Sequence, residues 1–562
     1  MTWRLGSRYG VIEQRDAVAE RPGRLHGGDL IFLVAVFLQV LPVVLRPVLT
    51  MDGPSHLAGA AVLAHYSDPG STVLRQYYRI DLSPSSNLLI QLLLAGMMRL
   101  ISPSNAEKLL VSGYLIVFPL SLRYAIRSID RGAGWLAFLA LPFTFNYLYF
   151  LGFYNFCYGV ALSMFTIGFA LRHRRTWNLR TTAILALLYL LTFGAHLLPF
   201  AMALAFIGIV AGCDALRELR RTRRTGVLSS GAVRDVGAQL LPPVLAALPA
   251  LALATVFLIR SGEASSSATV HKPLGRLIAL LATLTDLIVS YTPAEVVCSL
   301  LLVLIFTYLI VGTVRRVGWM AVRGPAAPFA ATAVFGFLLY LVMPDEIGQF
   351  AVINSRLGLY AVLFVVLWLA VQPIRRRAQW LTYIAALVIA LSLTLVRLPT
   401  EARYHRYAAE FGQVRGVLRS NSTLLTLRVR FERPRFGRTP DVFLHETSRL
   451  AAETNGVDLN HYEAMLAYFP TQFRPQYNLK RRFGPRYDDL RAPSTWAWLL
   501  KDGGLVGDDA DYVLLWGARQ ASRSVREDPG FIQAMNELAR RYRLIYVSEP
   551  HGGVEVEVYM RR

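Results

Sequence analysis

Residues 30–56 read LIFLVAVFLQVLPVVLRPVLTMDGPSH. From Leu30 to Leu45 the run is apolar apart from Gln39, which suits a helix entering a bilayer. Asp52 follows a few residues later, and His56 comes four residues after it. A carboxylate just past a hydrophobic span is positioned by the membrane surface rather than by a soluble core. The rest of the chain repeats the theme, with apolar blocks of about 15–25 residues, the length that crosses ~30 Å of hydrocarbon as a helix. Of the 562 residues 54% are hydrophobic, and mean hydropathy is +0.40. The fold expected is a polytopic α-helical membrane protein.

Arg-rich stretches at 123–131, 172–180, 217–224, 315–323 and 375–377 divide the apolar segments into pairs. Placing those stretches in the cytoplasm gives eleven spans, at 30–48, 107–122, 133–149, 151–171, 181–194, 196–213, 236–259, 295–313, 326–343, 357–373 and 378–396. An odd count puts the N-terminus inside and the C-terminal region outside. Segment 87–101 is apolar but short, and is expected as a helix at the outer interface. Residues 1–28 then form a cytoplasmic segment, with no small-residue cleavage site after the first span. Residues 29–397 form the multi-span region, whose first outer loop, 49–86, includes a helix at 54–66 lying on the membrane. Residues 398–562 form an extracytoplasmic α/β domain, with strands at 423–429, 512–516, 544–548 and 554–559 and helices at 401–418 and 531–542.

The net charge of +22 follows from basic loops beside span ends, which orient a membrane protein and do not imply nucleic acid. Cys157, Cys213 and Cys298 lie in or beside apolar segments, so neither a disulfide framework nor a Cys/His metal motif is present. No phosphate-binding loop of the Gly-x-x-x-x-Gly-Lys type occurs, and acidic residues in the membrane region are few (Asp286 is one), which argues against ATP-driven and proton-coupled transport.

The candidate chemistry gathers around Asp52. A carboxylate there suits a general base acting on a sugar hydroxyl, and the following Gly53-Pro54 equally suits an N-cap. His56 falls on the same helical face, either as partner to Asp52 or as a structural interface histidine. Asp81 closes the same loop, as a second acidic group or as a solvated carboxylate. A lipid-linked phosphate needs cations, and Arg75, Arg79, His271, Lys272 and Arg356 are the candidates on the outer side. Arg356 heads a span, where snorkelling is the alternative role. His196 sits at the turn of a tight helical pair, either functional or satisfied within the hairpin. The aromatic segment 143–158 fits a sugar-binding wall or an interfacial belt.

This layout resembles the GT-C class of integral-membrane glycosyltransferases: an acidic residue after the first span, a long first outer loop with helices, about eleven spans and an outer α/β tail. The resemblance implies a bacterial inner-membrane enzyme that moves a sugar from a polyprenyl-phosphate donor to a glycan, lipid or protein acceptor on the outer face. In that class the first-loop acidic residue is the catalytic base or acceptor ligand, a role that falls on Asp52, while outer-loop cations hold the lipid phosphate. Many members carry an acidic pair where this chain has Asp52-Gly53, which leaves a divalent cation an open question. The alternative is a transporter or flippase of a lipid-linked glycan, which would tolerate Asp52→Asn.

Overall fold

A computed structural model of the chain describes residues 27–562 except 225–229, 263–268, 349, 430–438, 485–491, 494–495, 502–509 and 550–552. Nearly all of the expected cytoplasmic segment 1–28 therefore lies outside the described residues. Among those described, nine helices are long and apolar enough to cross a membrane, and they match nine of the expected spans. The other two expected spans, 181–194 and 357–373, are the helices Leu179–Ala195 and Ile353–Leu369, each of 17 residues. Aliphatic side chains cover the outside of this assembly, with Leu45 76% and Val342 71% exposed. An apolar exterior over a packed interior is what a lipid solvent selects.

The segment expected at the outer interface is the helix Leu88–Met98. At 1.5 Å per residue it is only about 16 Å long, half the hydrocarbon thickness. The neighbouring helix expected to lie on the membrane surface is instead enclosed. It runs Gly53–His65, and every residue from Gly53 to Val62 is buried. Helix Leu88–Met98 packs against it, and so does helix Glu446–Thr454 of the C-terminal region. Its Ala/Gly-rich sequence permits this close packing; its partner, almost 400 residues downstream, could not be read from the pattern.

The C-terminal region carries a five-stranded sheet in the order Val457–Asp458, Thr423–Arg428, Tyr512–Trp516, Val556–Arg561, Tyr542–Val547. The first two pairings are parallel and the last two antiparallel. Tyr512–Trp516 (YVLLW) is apolar and buried throughout, as expected for a strand covered on both faces, and Thr423–Arg428 beside it buries its three leucines. The boundary drawn at 397/398 falls inside one helix, Arg376–Gln413, so helix rather than linker joins the two regions.

Two further devices clamp the α/β region onto the membrane region. Tyr78–Ile80 of the first loop pairs antiparallel with Thr471–Phe473. Arg449 reaches Glu107 of helix Pro103–Ile129 at 2.5 Å, its own neighbour Glu446 at 2.8 Å, and the Val48 carbonyl at 3.1 Å. Glu107 in turn accepts from Tyr154 Oη (2.8 Å), which lies 2.8 Å from the Thr50 hydroxyl. Buried charges must be paired and fully hydrogen-bonded to be tolerated. This chain of partners also ties the loop before Asp52 to both regions.

Candidate active site

The loop carrying Asp52 is held by its backbone. Met51 N–H and Asp52 N–H donate to the carbonyls of Phe150 (3.0 Å) and Leu151 (3.1 Å). Those carbonyls are available because the aromatic segment breaks between two helices, Tyr147–Phe150 and Tyr154–His173. The break is Gly152, at φ +77°. Apart from Phe145, Phe153 and Tyr158, the aromatics expected as a sugar wall or belt are buried here, making the floor under the loop.

Asp52 occupies the N-cap position of helix Gly53–His65, and its main-chain carbonyl accepts from His56 N–H at 3.1 Å. Its carboxylate makes no capping hydrogen bond. It faces two residues of the C-terminal region instead. Tyr462 Oη donates to Oδ2 at 3.4 Å, and His445 Nε2 lies 3.6 Å from Oδ1. The His445 and Tyr462 rings stack on one another, 4.9 Å between centroids. Asp52 is buried, and its carboxyl is pushed up to about 7, chiefly by burial and further by Glu463, against the opposing pull of His56, Tyr462 and Arg356.

His56 is held on both sides. Nδ1 lies 2.6 Å from Glu463 Oε1, and Nε2 lies 3.1 Å from the Gly152 carbonyl. The Gln91 side-chain nitrogen also lies 3.2 Å from Nδ1. Burial alone would favour the neutral ring, but the Glu463 carboxylate raises the His56 pKa. Gln91 completes the arrangement by donating to Glu463 Oε2 at 3.0 Å. His461 lies close by, with Nε2 3.0 Å from the Ser55 carbonyl, and burial lowers its pKa to about 3.

Arg356 stands in the first turn of helix Ile353–Leu369, within electrostatic reach of Asp52, Tyr462 and Tyr468. Its guanidinium lies over the Phe153 ring at 4.5 Å and the Phe156 ring at 5.6 Å. Its Nη1 lies 3.2 Å from His196 Nε2, and its Nε is buried without a hydrogen-bond partner among the described residues. His196 is the extended residue between helices Leu179–Ala195 and Leu197–Arg224, where Nδ1 accepts from Leu198 N–H.

The remaining candidates lie in other contacts. Arg75 donates to the carbonyls of Tyr66, Asp68 and Pro69, closing a turn of the first loop. Arg79 donates to Gln472 (2.7 Å) across the two-stranded pairing. Asp81 pairs with Arg260 at 3.1 Å. Lys272 pairs with Asp345 at 2.9 Å, and the Asp345 carboxylate accepts from Asn354 N–H at the start of the Arg356 helix. His271 is exposed beside it. Asp52, His56, His196 and Arg356 are thus brought together, joined by His445, Tyr462 and Glu463, which sequence reasoning missed. The one signal for these was two short runs, His445-Glu446 and His461-Tyr462-Glu463, of ionisable residues amid apolar ones. Among the described residues no three His, Cys, Asp or Glu side chains are grouped to hold a metal ion, and both His56 nitrogens are already engaged.

No sequence family and no curated protein matches this chain. Solved structures do match its fold. ArnT from Cupriavidus metallidurans superposes in its apo state with a TM-score of 0.51 and 11% identity, over 94% of this chain and 98% of that one. ArnT bound to undecaprenyl phosphate gives a TM-score of 0.50 with the same identity and coverage. The fold is GT-C-like. The superposition spans 94% of this chain, and the expected architecture of membrane helices with a C-terminal sheet region holds.

Proposed function

We propose that this protein is a membrane glycosyltransferase that moves a sugar from a polyprenyl-phosphate donor to an acceptor hydroxyl on the outer face of a bacterial inner membrane. The observation that carries this reading is the pairing of opposites around Asp52 and Arg356. A buried carboxylate and a guanidinium with no ion-pair partner among the described residues stand within electrostatic reach of each other in a GT-C-like fold. ArnT, the structural neighbour, binds undecaprenyl phosphate. In the proposed reaction Asp52 takes the proton of the acceptor hydroxyl as its oxygen attacks the anomeric carbon. The bond between that carbon and the phosphate oxygen breaks, and polyprenyl phosphate leaves with the electron pair. Arg356 stabilises the charge that develops on the leaving phosphate. His56 and Glu463 hold the helix that begins at Asp52.

The test is release of free polyprenyl phosphate from a panel of polyprenyl-phosphate sugars offered with membrane glycan and lipid acceptors. A flippase would move the donor without cleaving it. Arg356→Gln removes charge-assisted hydrogen bonds worth about 1.5–3 kcal/mol, which corresponds to a roughly 10- to 150-fold rise in donor KM. An unchanged KM would remove Arg356 from the donor site.

The pH profile is a second check. A base with a pKa near 7 is lost as pH falls, so kcat/KM declines on the acid side with a midpoint near 7. The Tyr462 hydrogen bond lowers the Asp52 pKa, so Tyr462→Phe shifts that midpoint to higher pH. A shift to lower pH would contradict Asp52 as the titrating base.

A further inference from the structure

An open cleft lies where the first span meets the last membrane helix, on the side of the α/β region. Arg46, Phe150, Tyr291, Arg397, Glu401 and His405 are among its lining residues. Leu49 is also in the wall, and the Phe150 carbonyl accepts from Met51 N–H of the Asp52 loop at 3.0 Å. Leu45 and Leu391, on the two helices that lead up to the cleft, are 76% and 61% exposed. The cleft therefore opens at the level where acyl chains give way to headgroups.

Its charges are arranged in two kinds. Arg46 follows the exposed Leu45 and acts electrostatically on Glu401. Lys108 donates to the carbonyl of Val44, two residues before Arg46, at 3.2 Å, and both cations act electrostatically on His405. Glu401 is the acid of the cleft, in the fields of Arg397 and Arg46. Arg397 is 2% exposed and anchored to Glu295 at 3.1 Å, yet its Nε is buried without a hydrogen-bond partner among the described residues. His405 Nδ1 is likewise buried and unpartnered there. Unmet buried polar atoms carry a desolvation cost that a bound ligand would relieve.

We infer that this cleft binds a membrane phospholipid whose headgroup carries both a phosphodiester and a primary ammonium, the phosphatidylethanolamine type. The phosphate meets Arg46 and Lys108, the ammonium meets Glu401, and the Arg397 Nε–H faces an ester carbonyl. The aromatic wall takes the glycerol backbone, and the acyl chains lie along the exposed leucines. Seated there, the lipid braces the Arg46–Thr50 stretch that leads to Asp52. The inference stands apart from the glycosyltransferase reading, since it concerns binding alone.

The test is native mass spectrometry of the full chain released from nanodiscs containing phosphatidylethanolamine and phosphatidylglycerol, run without any sugar donor. Wild type is expected to retain one phosphatidylethanolamine in preference to phosphatidylglycerol. Arg46→Gln combined with Lys108→Gln should weaken retention at least tenfold, and Glu401→Gln should abolish the preference between the two lipids. An unchanged melting temperature and elution profile would show that these half-buried positions leave the fold intact. Retention unaffected by the double substitution, or a wild-type preference for phosphatidylglycerol, overturns the inference. Soluble glycerophosphoethanolamine displacing the lipid at equal concentration would also overturn it, by assigning the site to a free phosphate ester.

Discussion

Asp52→Asn is expected to abolish release of polyprenyl phosphate while leaving expression and melting temperature close to wild type. A positioned general base contributes about 10²- to 10⁴-fold, and an amide of the same shape cannot accept the proton. The fold should tolerate the change because the carboxylate caps no helix and forms no close ion pair; its nearest partners are Tyr462 at 3.4 Å and His445 at 3.6 Å. Burial already disfavours the charged form, so an uncharged side chain removes a desolvation cost rather than a stabilising contact. Turnover at the wild-type rate would discard Asp52 as the base. Loss of activity together with loss of the folded protein would instead make it structural.

Gly152→Ala is expected to cost almost as much activity by a different route. Gly152 adopts φ +77°, where a Cβ is strained by about 1–3 kcal/mol. The added methyl would lie 2.6 Å from Gly53 N and 2.7 Å from Asp52 N, so the loop carrying Asp52 must shift outward. A displacement of about 1 Å at a reacting group can reduce the rate roughly 10²-fold. The Gly152 carbonyl that receives His56 Nε2 would move as well. Gly96→Ala is the control: a Cβ there meets nothing within 4 Å, and the position is already helical. A Gly152→Ala enzyme with wild-type kcat would show that the loop does not need this backbone contact.

These two positions also separate what was legible in the chain from what was not. The first span, the carboxylate beyond it and Arg356 at the head of a later span could be read locally, because apolar length and a charge at its end are properties of a few tens of residues. Gly152 falls at the start of the expected span 151–171, where nothing local marks its role. Its purpose depends on Met51, Asp52 and Gly53, a hundred residues earlier in the chain. His445, Tyr462 and Glu463 had no periodicity to mark them.

Sequence by itself determined the solvent of this protein: repeated apolar blocks demand lipid. It also determined that the C-terminal region would be α/β, since its strands alternate with helices and lie between turn signals. Only the tertiary structure decided that this region closes over Asp52. That closure rests on Arg449 reaching Glu107, on Glu463 meeting His56 and on two short strands pairing across almost 400 residues. Such contacts follow from burial, where each charge must find an opposite one, and no local pattern encodes which distant partner supplies it.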